Sequence, residues 1–241
     1  MLRITDARTG EFVEAAPVRR GLTRIEAHAP GHDTASLRVL LVTDLLVRAL
    51  ELGGTPVWAL LAGRHDQAEL RASAAALGMR TLEDSHDVGA GLGEAQVIHV
   101  VTEGGAAPEG VRLTVGPVTP QDGLPADTDP AAVRLALLSR PRTAPARLDA
   151  DALGAAEGTL ARWRRAVAAW SRHPSRPIPE EVRGGLRAAW ESDLDMPAVL
   201  DVLRRVEQAG PELPEGARFE TYAYADRLLG LELTRDVGAP S

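Results

Sequence analysis

The sequence contains no cysteine, which excludes disulfide bonds, thiolate metal ligands and a cysteine nucleophile. It contains no lysine either, because all 27 basic side chains are arginines. A lysine that forms a Schiff base and a lysine that grips a phosphate group are therefore excluded as well. Any cationic contact with a ligand has to come from arginine or protonated histidine.

Long hydrophobic runs and a net positive charge are also missing. No apolar run approaches the ~20 residues that span a bilayer. Residues 1–10 lack the apolar segment of a secretory signal, so we expect a cytoplasmic protein without a membrane association. The net charge of -7 argues against an extended nucleic-acid-binding face, although a local arginine patch remains compatible with it.

The first half of the sequence alternates strand and helix patterns. This alternation predicts an α/β domain with a Rossmann-like parallel sheet of four strands. The glycine-rich segment GAGLGEA (89–95) precedes a strand instead of following one, so a dinucleotide-binding motif is not supported. The predicted strands cover residues 22–29, 56–61, 96–101 and 111–115, and the predicted helices cover residues 36–52 and 66–77.

A cluster of Pro, Gly and Asp at residues 117–130 marks a change in organisation. We predict a Rossmann-like, nucleotide-binding-type domain at 1–118, a linker at 119–130 and an all-α helical bundle at 131–241. The predicted bundle helices cover residues 131–140, 149–173, 179–190, 197–208 and 215–231.

The long helix at 149–173 carries two tryptophans on its apolar stripe. Trp163 and Trp170 follow the spacing of a packed helix, so we interpret them as core residues, with a base-stacking platform as the alternative. Several arginines lie partly off that stripe. We interpret them as a solvated face, with a patch for an RNA backbone or an acidic partner as the alternative. These are Arg162, Arg164, Arg165, Arg172 and Arg176.

The opening MLRITDARTGEFVEAAPVRRG is followed by a predicted strand. The second half contains, in this order, the segments DPAAVRLALLSRPRT, LDADALGAAEGTLARWRRAV, WESDLDMPAVLDVLRRV and ADRLLGLEL. The opening and the order of these segments resemble the cysteinyl-tRNA synthetases and the actinobacterial mycothiol cysteine ligases derived from them. The resemblance implies a class I synthetase-type core followed by a helical bundle, as a truncated and degenerate paralogue.

This resemblance implies that signature groups have been lost. The family's first strand ends in a zinc-binding cysteine, where His28 stands here. Asp33 to Ser36 stand in place of the H-I-G-H signature, and residues 110–116 replace the K-M-S-K-S loop without a lysine. The insertion that carries the other zinc ligands and the anticodon-binding domain have no counterpart. We therefore expect neither cysteine adenylation nor tRNA binding.

The candidate ligand-binding residues gather at the carboxyl edge of the predicted sheet, where open α/β folds bind ligands. Ser36 and Arg112 leave ATP or AMP possible as ligands, although no cofactor is required. We expect no metal, and a site formed by His28, His32 and His99 is the alternative. The complete candidate set is His28, His32, Asp33, Ser36, Arg38, His99, Glu103 and Arg112.

Two functions remain open on the sequence. In the first, the protein is non-catalytic or repurposed and binds a small nucleotide-like or amino-acid-like ligand, or a protein or tRNA partner. In the second, it is an enzyme with altered chemistry, such as an ATP-dependent ligase that joins an amino acid to a small amine. The oligomeric state is not determined by the sequence.

Overall fold

A computed structural model describes residues 1–17, 21–62, 67–84, 94–120 and 128–239. Part of the predicted linker (121–127) and most of the glycine-rich segment (89–93) lie outside these residues. No described helix is both long enough and apolar enough to cross a membrane.

In chain order the elements are β1 (Arg3–Thr5), β2 (Phe12–Glu14), β3 (Leu22–His28), α1 (Thr34–Leu52), β4 (Val57–Ala62), α2 (Gln67–Ala76), β5 (Glu83–Asp84), β6 (Glu94–Thr102), β7 (Val111–Val115), β8 (Val118–Thr119), α3 (Pro130–Leu138), β9 (Ala146–Arg147), α4 (Ala150–Trp170), α5 (Glu180–Glu191), α6 (Met196–Gln208) and α7 (Glu215–Leu229).

The main sheet has the strand order β5-β4-β3-β6-β7, and all of its neighbouring strands are parallel. The predicted α/β fold with a following set of helices is thus confirmed. The predicted count of four strands was wrong, because β5 adds a fifth. β5 consists of two exposed acidic residues, Glu83 and Asp84, so it has no apolar pattern that a sequence reading could detect.

The order of the strands reverses between β3 and β6. From β3 the chain moves outward through β4 to β5, and then returns to the other side of β3 to form β6 and β7. Such a reversal leaves a crevice at the carboxyl ends of the two central strands, since their following loops turn away from each other. The position at which this rule places a crevice lies after His28 in β3 and after Thr102 in β6.

One face of the sheet packs against α1. Alternate residues of the strands point to this face and join the hydrophobic core, as the two-residue period of a strand requires. α1 is itself buried along most of its length, because it lies between the sheet and the C-terminal helices. The core residues on this face include Ile25, Ala27, Ile98, Val100, Leu113 and Val115.

A buried ion pair connects the two halves of the chain. The Arg134 guanidinium in α3 lies 2.6 Å from the Asp44 carboxylate in α1, and its Nε donates to the Leu229 carbonyl of α7 at 2.5 Å. The hydrophobic core is continuous from the sheet to the last helices. The division into domains at residue 118 stays a prediction.

The two tryptophans of α4 are buried, as predicted. Trp163 and Trp170 both pack with their rings tilted against Tyr222 of α7, at centroid distances of 5.6 and 5.2 Å. The solvated-face interpretation of the arginines was wrong for Arg164, which is buried. Its guanidinium donates to the Leu231 carbonyl, so this arginine stabilises the chain after α7.

Candidate functional site

The face of the sheet turned away from α1 carries charged and histidine side chains. We call this surface, formed by Arg24, Glu26, His28, His99 and Arg112, the polar face. Strand register places Glu26 beside His99, and His99 beside Arg112, in one row across β3, β6 and β7. His28 lies two residues further along β3, on the same side as Glu26. Residues distant in sequence are thus neighbours here.

Three of these side chains converge on one point. His28 Nε2 lies 2.9 Å from His99 Nδ1, and His99 Nδ1 lies 3.2 Å from Glu26 Oε2. The third distance, from His28 Nε2 to Glu26 Oε2, is 3.7 Å. The side chain of His99 is only 2% exposed, whereas those of Glu26 and His28 keep 13% and 21% of their surface open. The cluster therefore has a buried base and an accessible rim.

The surroundings shift the ionisation of two members of this cluster. The pKa of Glu26 is lowered, mainly by its hydrogen bond with His99 and with help from the nearby Arg24 charge, although burial opposes the shift. The pKa of His28 is lowered by burial and by the neighbouring His99 and Arg112 charges, and Glu26 only partly offsets this. Near neutral pH the cluster thus presents a carboxylate beside a neutral His28 imidazole.

Backbone geometry closes over the His99 ring. His99 Nε2 lies 3.2 Å from the carbonyl oxygen of Glu109. The next residue, Gly110, has φ +148°, and a Cβ atom there would stand 2.9 Å from the ring carbon Cδ2 of His99. A larger residue would have to displace the ring or the loop. Gly110 is therefore part of the cluster's construction.

The structure does not bring His32 to the other two histidines. Its Nε2 lies 3.0 Å from the Ser73 hydroxyl, and its Nδ1 lies 3.4 Å from the Glu69 carboxylate, both on α2. The alternative site formed by His28, His32 and His99 is therefore not assembled. Among the described residues, Glu26 takes the third position instead.

The candidate residues at the start of α1 have partners inside the protein. The Asp33 carboxylate accepts from the Ser36 backbone N–H at 2.6 Å and so caps the helix. The Ser36 hydroxyl is buried and accepts from the Gly31 N–H at 3.4 Å. The beginning of α1 is thus already occupied by a carboxylate of the chain itself.

Arg38 is not part of the polar face. Its guanidinium is buried and donates only to backbone carbonyls, and this burial lowers its pKa to about 10. The interpretation of Arg38 as a ligand-binding residue therefore needs correction, since its donors hold two distant loops together. The accepting carbonyls are those of Gly116, Pro117, Pro141 and Ala144.

Arg112 lies beside His99 in the row of the polar face, and Glu103 directly follows β6. Arg112 Nη2 donates to the Ala107 carbonyl at 3.1 Å, while its Nε is buried without a hydrogen-bond partner. The Glu103 side chain is exposed in the loop that follows β6. The structure thus provides one unsatisfied cationic donor next to the histidines and a carboxylate at the rim.

Sequence reasoning missed Glu26 and Arg24. The signal was present, because Arg24, Glu26 and His28 alternate with the apolar residues Ile25 and Ala27 along β3. A parallel strand buried on both faces would be apolar throughout, so this alternation indicates that one face is polar. The cluster of Glu26, His28 and His99 is able to bind a proton, an ammonium group or a metal ion.

Comparison with known proteins gives a partial match. No protein-family model matches the sequence. An L-cysteine:1D-myo-inositol 2-amino-2-deoxy-alpha-D-glucopyranoside ligase of Streptosporangium roseum is 40% identical over 110 residues, which are 44% of this chain and 26% of that ligase. Ligases of the same name from Streptomyces griseus subsp. griseus and Beutenbergia cavernae are each 38% identical, over 44% of this chain and 25% of their own length. The expected resemblance to mycothiol cysteine ligases is confirmed, and the match spans about a quarter of each of these relatives.

Proposed function

We propose that this chain is a ligase-like binding protein whose polar face holds a small molecule with a carboxylate group, such as an amino acid. We further propose that it does not adenylate cysteine. The observation that carries the proposal is the buried Arg112 Nε, which has no hydrogen-bond partner and belongs to the residue beside His99 on the polar face. A small molecule, and not tRNA, is the proposed partner, and the cytoplasm is the proposed location.

The Arg112 guanidinium favours a carboxylate because its donors are arranged in a planar fork. A buried donor without a partner costs about 1 to 3 kcal/mol, and an oxygen of a ligand would remove that cost. The Glu26 carboxylate, which lies in the same row of the sheet, offers an acceptor for an amino group. A zwitterion therefore matches the mixed charge of this surface better than a nucleotide does.

The names of the three ligases support an amino-acid ligand. Each is named for L-cysteine as one of the molecules that it joins. We propose that recognition of an amino acid is the property this chain shares with them. The matched segment is too short for the rest of their activity to be carried over.

The start of α1 argues against activation of an amino acid by ATP. That reaction develops negative charge on phosphate, and a preorganised donor commonly contributes ~10²- to 10³-fold to its rate. Here Asp33 directs a carboxylate at the helix N-terminus, and the Arg38 guanidinium is engaged by carbonyls. The sequence also has no lysine that could donate to the phosphate groups instead.

Calorimetric titration with each of the twenty amino acids tests the binding proposal. We expect at least one to bind, and Arg112→Gln to weaken its affinity by about tenfold or more, since a charge-assisted contact is worth roughly 1.5 to 3 kcal/mol. The matched control is Arg147→Gln, because Arg147 is 78% exposed and distant in the fold. Absence of binding to the unmodified protein, or equal affinity in both variants, would overturn the proposal.

A second candidate is an ATP-dependent ligase that joins an amino acid to a small amine. The similarity to three named ligases is the observation that favours it. Cysteine-dependent exchange of pyrophosphate into ATP distinguishes the two functions, and we expect no exchange above the rate without protein. Exchange that disappears in His32→Ala or Arg112→Ala would establish the ligase instead.

A further inference from the structure

We propose that Glu26, His28 and His99 form a binding site for one divalent transition-metal ion with zinc-like coordination. Two imidazole nitrogens and one carboxylate oxygen would be the ligands, and a fourth position would remain open toward the crevice. This inference does not depend on amino-acid binding by Arg112. It rests on the geometry of three side chains and on the backbone that holds them.

The distances among the three donor atoms lie on either side of the spacing expected around one ion. In tetrahedral zinc sites the metal lies about 2.0 to 2.2 Å from nitrogen and oxygen ligands, which places neighbouring ligand atoms about 3.3 to 3.5 Å apart. The three distances here are 2.9, 3.2 and 3.7 Å. The point equidistant from the three atoms lies about 1.9 Å from each of them, which is close to a bond length to zinc.

Hydrogen bonding selects the tautomer of His99 that a metal needs. A carbonyl oxygen only accepts, so the contact with Glu109 requires the proton of His99 to be on Nε2. The lone pair of Nδ1 then points at His28 and Glu26. A backbone carbonyl that orients a ligating histidine in this way is a common feature of metal sites.

Without an ion, this arrangement leaves acceptors facing each other. In a neutral His99 that carries its proton on Nε2, Nδ1 faces the Glu26 carboxylate at 3.2 Å as a second acceptor, and His28 Nε2 supplies at most one proton for the pair. The hydrogen bond between His99 and Glu26 described above forms only when Nδ1 is protonated as well. A cation at the equidistant point would satisfy all three atoms. Protonation of His99 on Nδ1 is the competing explanation, and the experiment below separates the two.

Neighbouring charges and ligand types determine which metal is expected. The Arg24 guanidinium lies 3.3 Å from Glu26 Oε1, and the positive charge of Arg112 lowers the pKa of His28. These two positive charges weaken the attraction of the site for a cation. Hard ions such as Mg²⁺ and Ca²⁺ prefer oxygen ligands and gain little from two imidazoles. Zn²⁺, Ni²⁺ and Co²⁺ accept imidazole readily.

The ligand set differs from the one that the family resemblance implies. That resemblance puts a zinc-binding cysteine at the position of His28 and the other ligands in an insertion. Glu26 and His99 belong to neither group, since both lie within the parallel sheet itself. The proposed site is therefore built from this chain's own strands.

The test uses the untagged, chelator-treated protein and metal salts alone. We expect calorimetry to show one Zn²⁺ per chain and no saturable Mg²⁺ binding under the same conditions. The protein with bound Co²⁺ should absorb visible light with the intensity typical of four-coordinate cobalt. His28→Ala should reduce Zn²⁺ affinity on the order of 100-fold, because even residues that only orient ligands contribute 10- to 100-fold.

His173→Ala is the matched control. His173 is half exposed and pairs with Glu215 in the helical region, so its loss should leave Zn²⁺ affinity unchanged. Glu26→Gln provides a second site variant that retains the size of the side chain, and circular dichroism checks that each variant is folded. Absence of saturable Zn²⁺ binding, which would leave a proton as the only cation in the cluster, would overturn the proposal. An equal loss in His28→Ala and His173→Ala would overturn it too.

Discussion

The two faces of the central sheet are built from alternate residues of the same strands, yet they have opposite character. Ile25 and Ile98 lie in the core against α1, while their neighbours Glu26 and His99 meet on the polar face. Burial of one face fixes the strand register, since a slip by one residue would exchange the faces. The apolar face therefore determines where the polar side chains stand.

The arginines on the two sides differ in the same way. On the α1 side, Arg38 is held by four carbonyls, and Arg134 by Asp44 and the carbonyl of Leu229. On the polar face, the Nε of Arg112 has no partner. Arg38 and Arg134, whose donors are engaged within the fold, stabilise it, whereas the Arg112 Nε is unpaired, as is the Nε of Arg142 away from the polar face.

The largest expected effect comes from removing Arg134 on the α1 side. Arg134→Ala should lower the free energy of unfolding by about 3 to 5 kcal/mol, because it leaves the buried Asp44 carboxylate without one of its arginine partners. Urea unfolding followed by circular dichroism measures this. Arg187→Ala is the control, since the exposed pair with Glu191 should contribute less than about 0.5 kcal/mol. Similar losses in both variants would contradict this assignment.

Substitution of Trp163 tests whether the C-terminal helices belong to the same hydrophobic core as α1. Trp163→Ala should cost about 3 to 5 kcal/mol in the free energy of unfolding, because the ring is fully buried against Tyr222. Trp163→Phe should cost less, since it retains an aromatic ring in the same space. A loss below about 1 kcal/mol for the alanine variant would mean that the bundle packs differently.

Neighbouring residues of β6 compare the two faces directly. Ile98→Ala should lower the free energy of unfolding by about 2 to 4 kcal/mol, because Ile98 is buried in the core. Val97→Ala should cost about 1 kcal/mol or less, since Val97 is only half-buried on the polar face. Chemical unfolding of both variants gives the comparison. Equal losses would show that the polar face is as tightly packed as the other.

Zinc should stabilise the protein through the polar face alone. At a free Zn²⁺ concentration about 100-fold above its Kd, the free energy of unfolding should rise by about 2.7 kcal/mol, provided the unfolded chain does not bind the ion. Thermal unfolding with and without Zn²⁺ measures this rise. In His28→Ala the rise should nearly vanish, whereas in Ile98→Ala it should persist. Loss of the zinc effect in Ile98→Ala, but not in His28→Ala, would contradict the assignment of zinc binding to the polar face.

Gly110 should have a smaller effect on stability than the buried core residues. Gly110→Ala should cost about 1 to 3 kcal/mol, because φ +148° is unfavourable for alanine and the new Cβ meets the His99 ring. We also expect weaker Zn²⁺ binding, since the loop holds His99 in its orientation. Gly154→Ala is the control, because that glycine lies in α4 with open space around its Cα and should tolerate alanine. Unchanged stability and Zn²⁺ affinity in Gly110→Ala would contradict the role given to this loop.

Much of the fold was predictable because its signals are local. The apolar run that forms β7 and the stripe with Trp163 and Trp170 depend only on residues a few positions apart. β5 escaped prediction because Glu83 and Asp84 become a strand only by pairing with β4. Its conformation is a consequence of the sheet edge beside it.

Less of the site was predictable. His28, His99 and Arg112 were expected at the sheet, and register places His99 beside Arg112, with His28 two residues beyond their row on β3. His32 and Arg38 were expected there as well, but each finds its partners elsewhere. Ser73 and Glu69 engage the imidazole of His32, and carbonyls from two distant loops engage Arg38. Which partner a polar side chain finds depends on segments that are remote in the sequence.

The sequence by itself determined that β3 has one apolar and one polar face, since a period of two needs no information beyond the strand. It also determined that no thiolate and no lysine takes part in any site. Only the tertiary structure decided that Glu26 stands beside His99 and that His28 reaches both. That choice follows from strand order and register, which are set by burial of the opposite face against α1 and cannot be read from either strand alone.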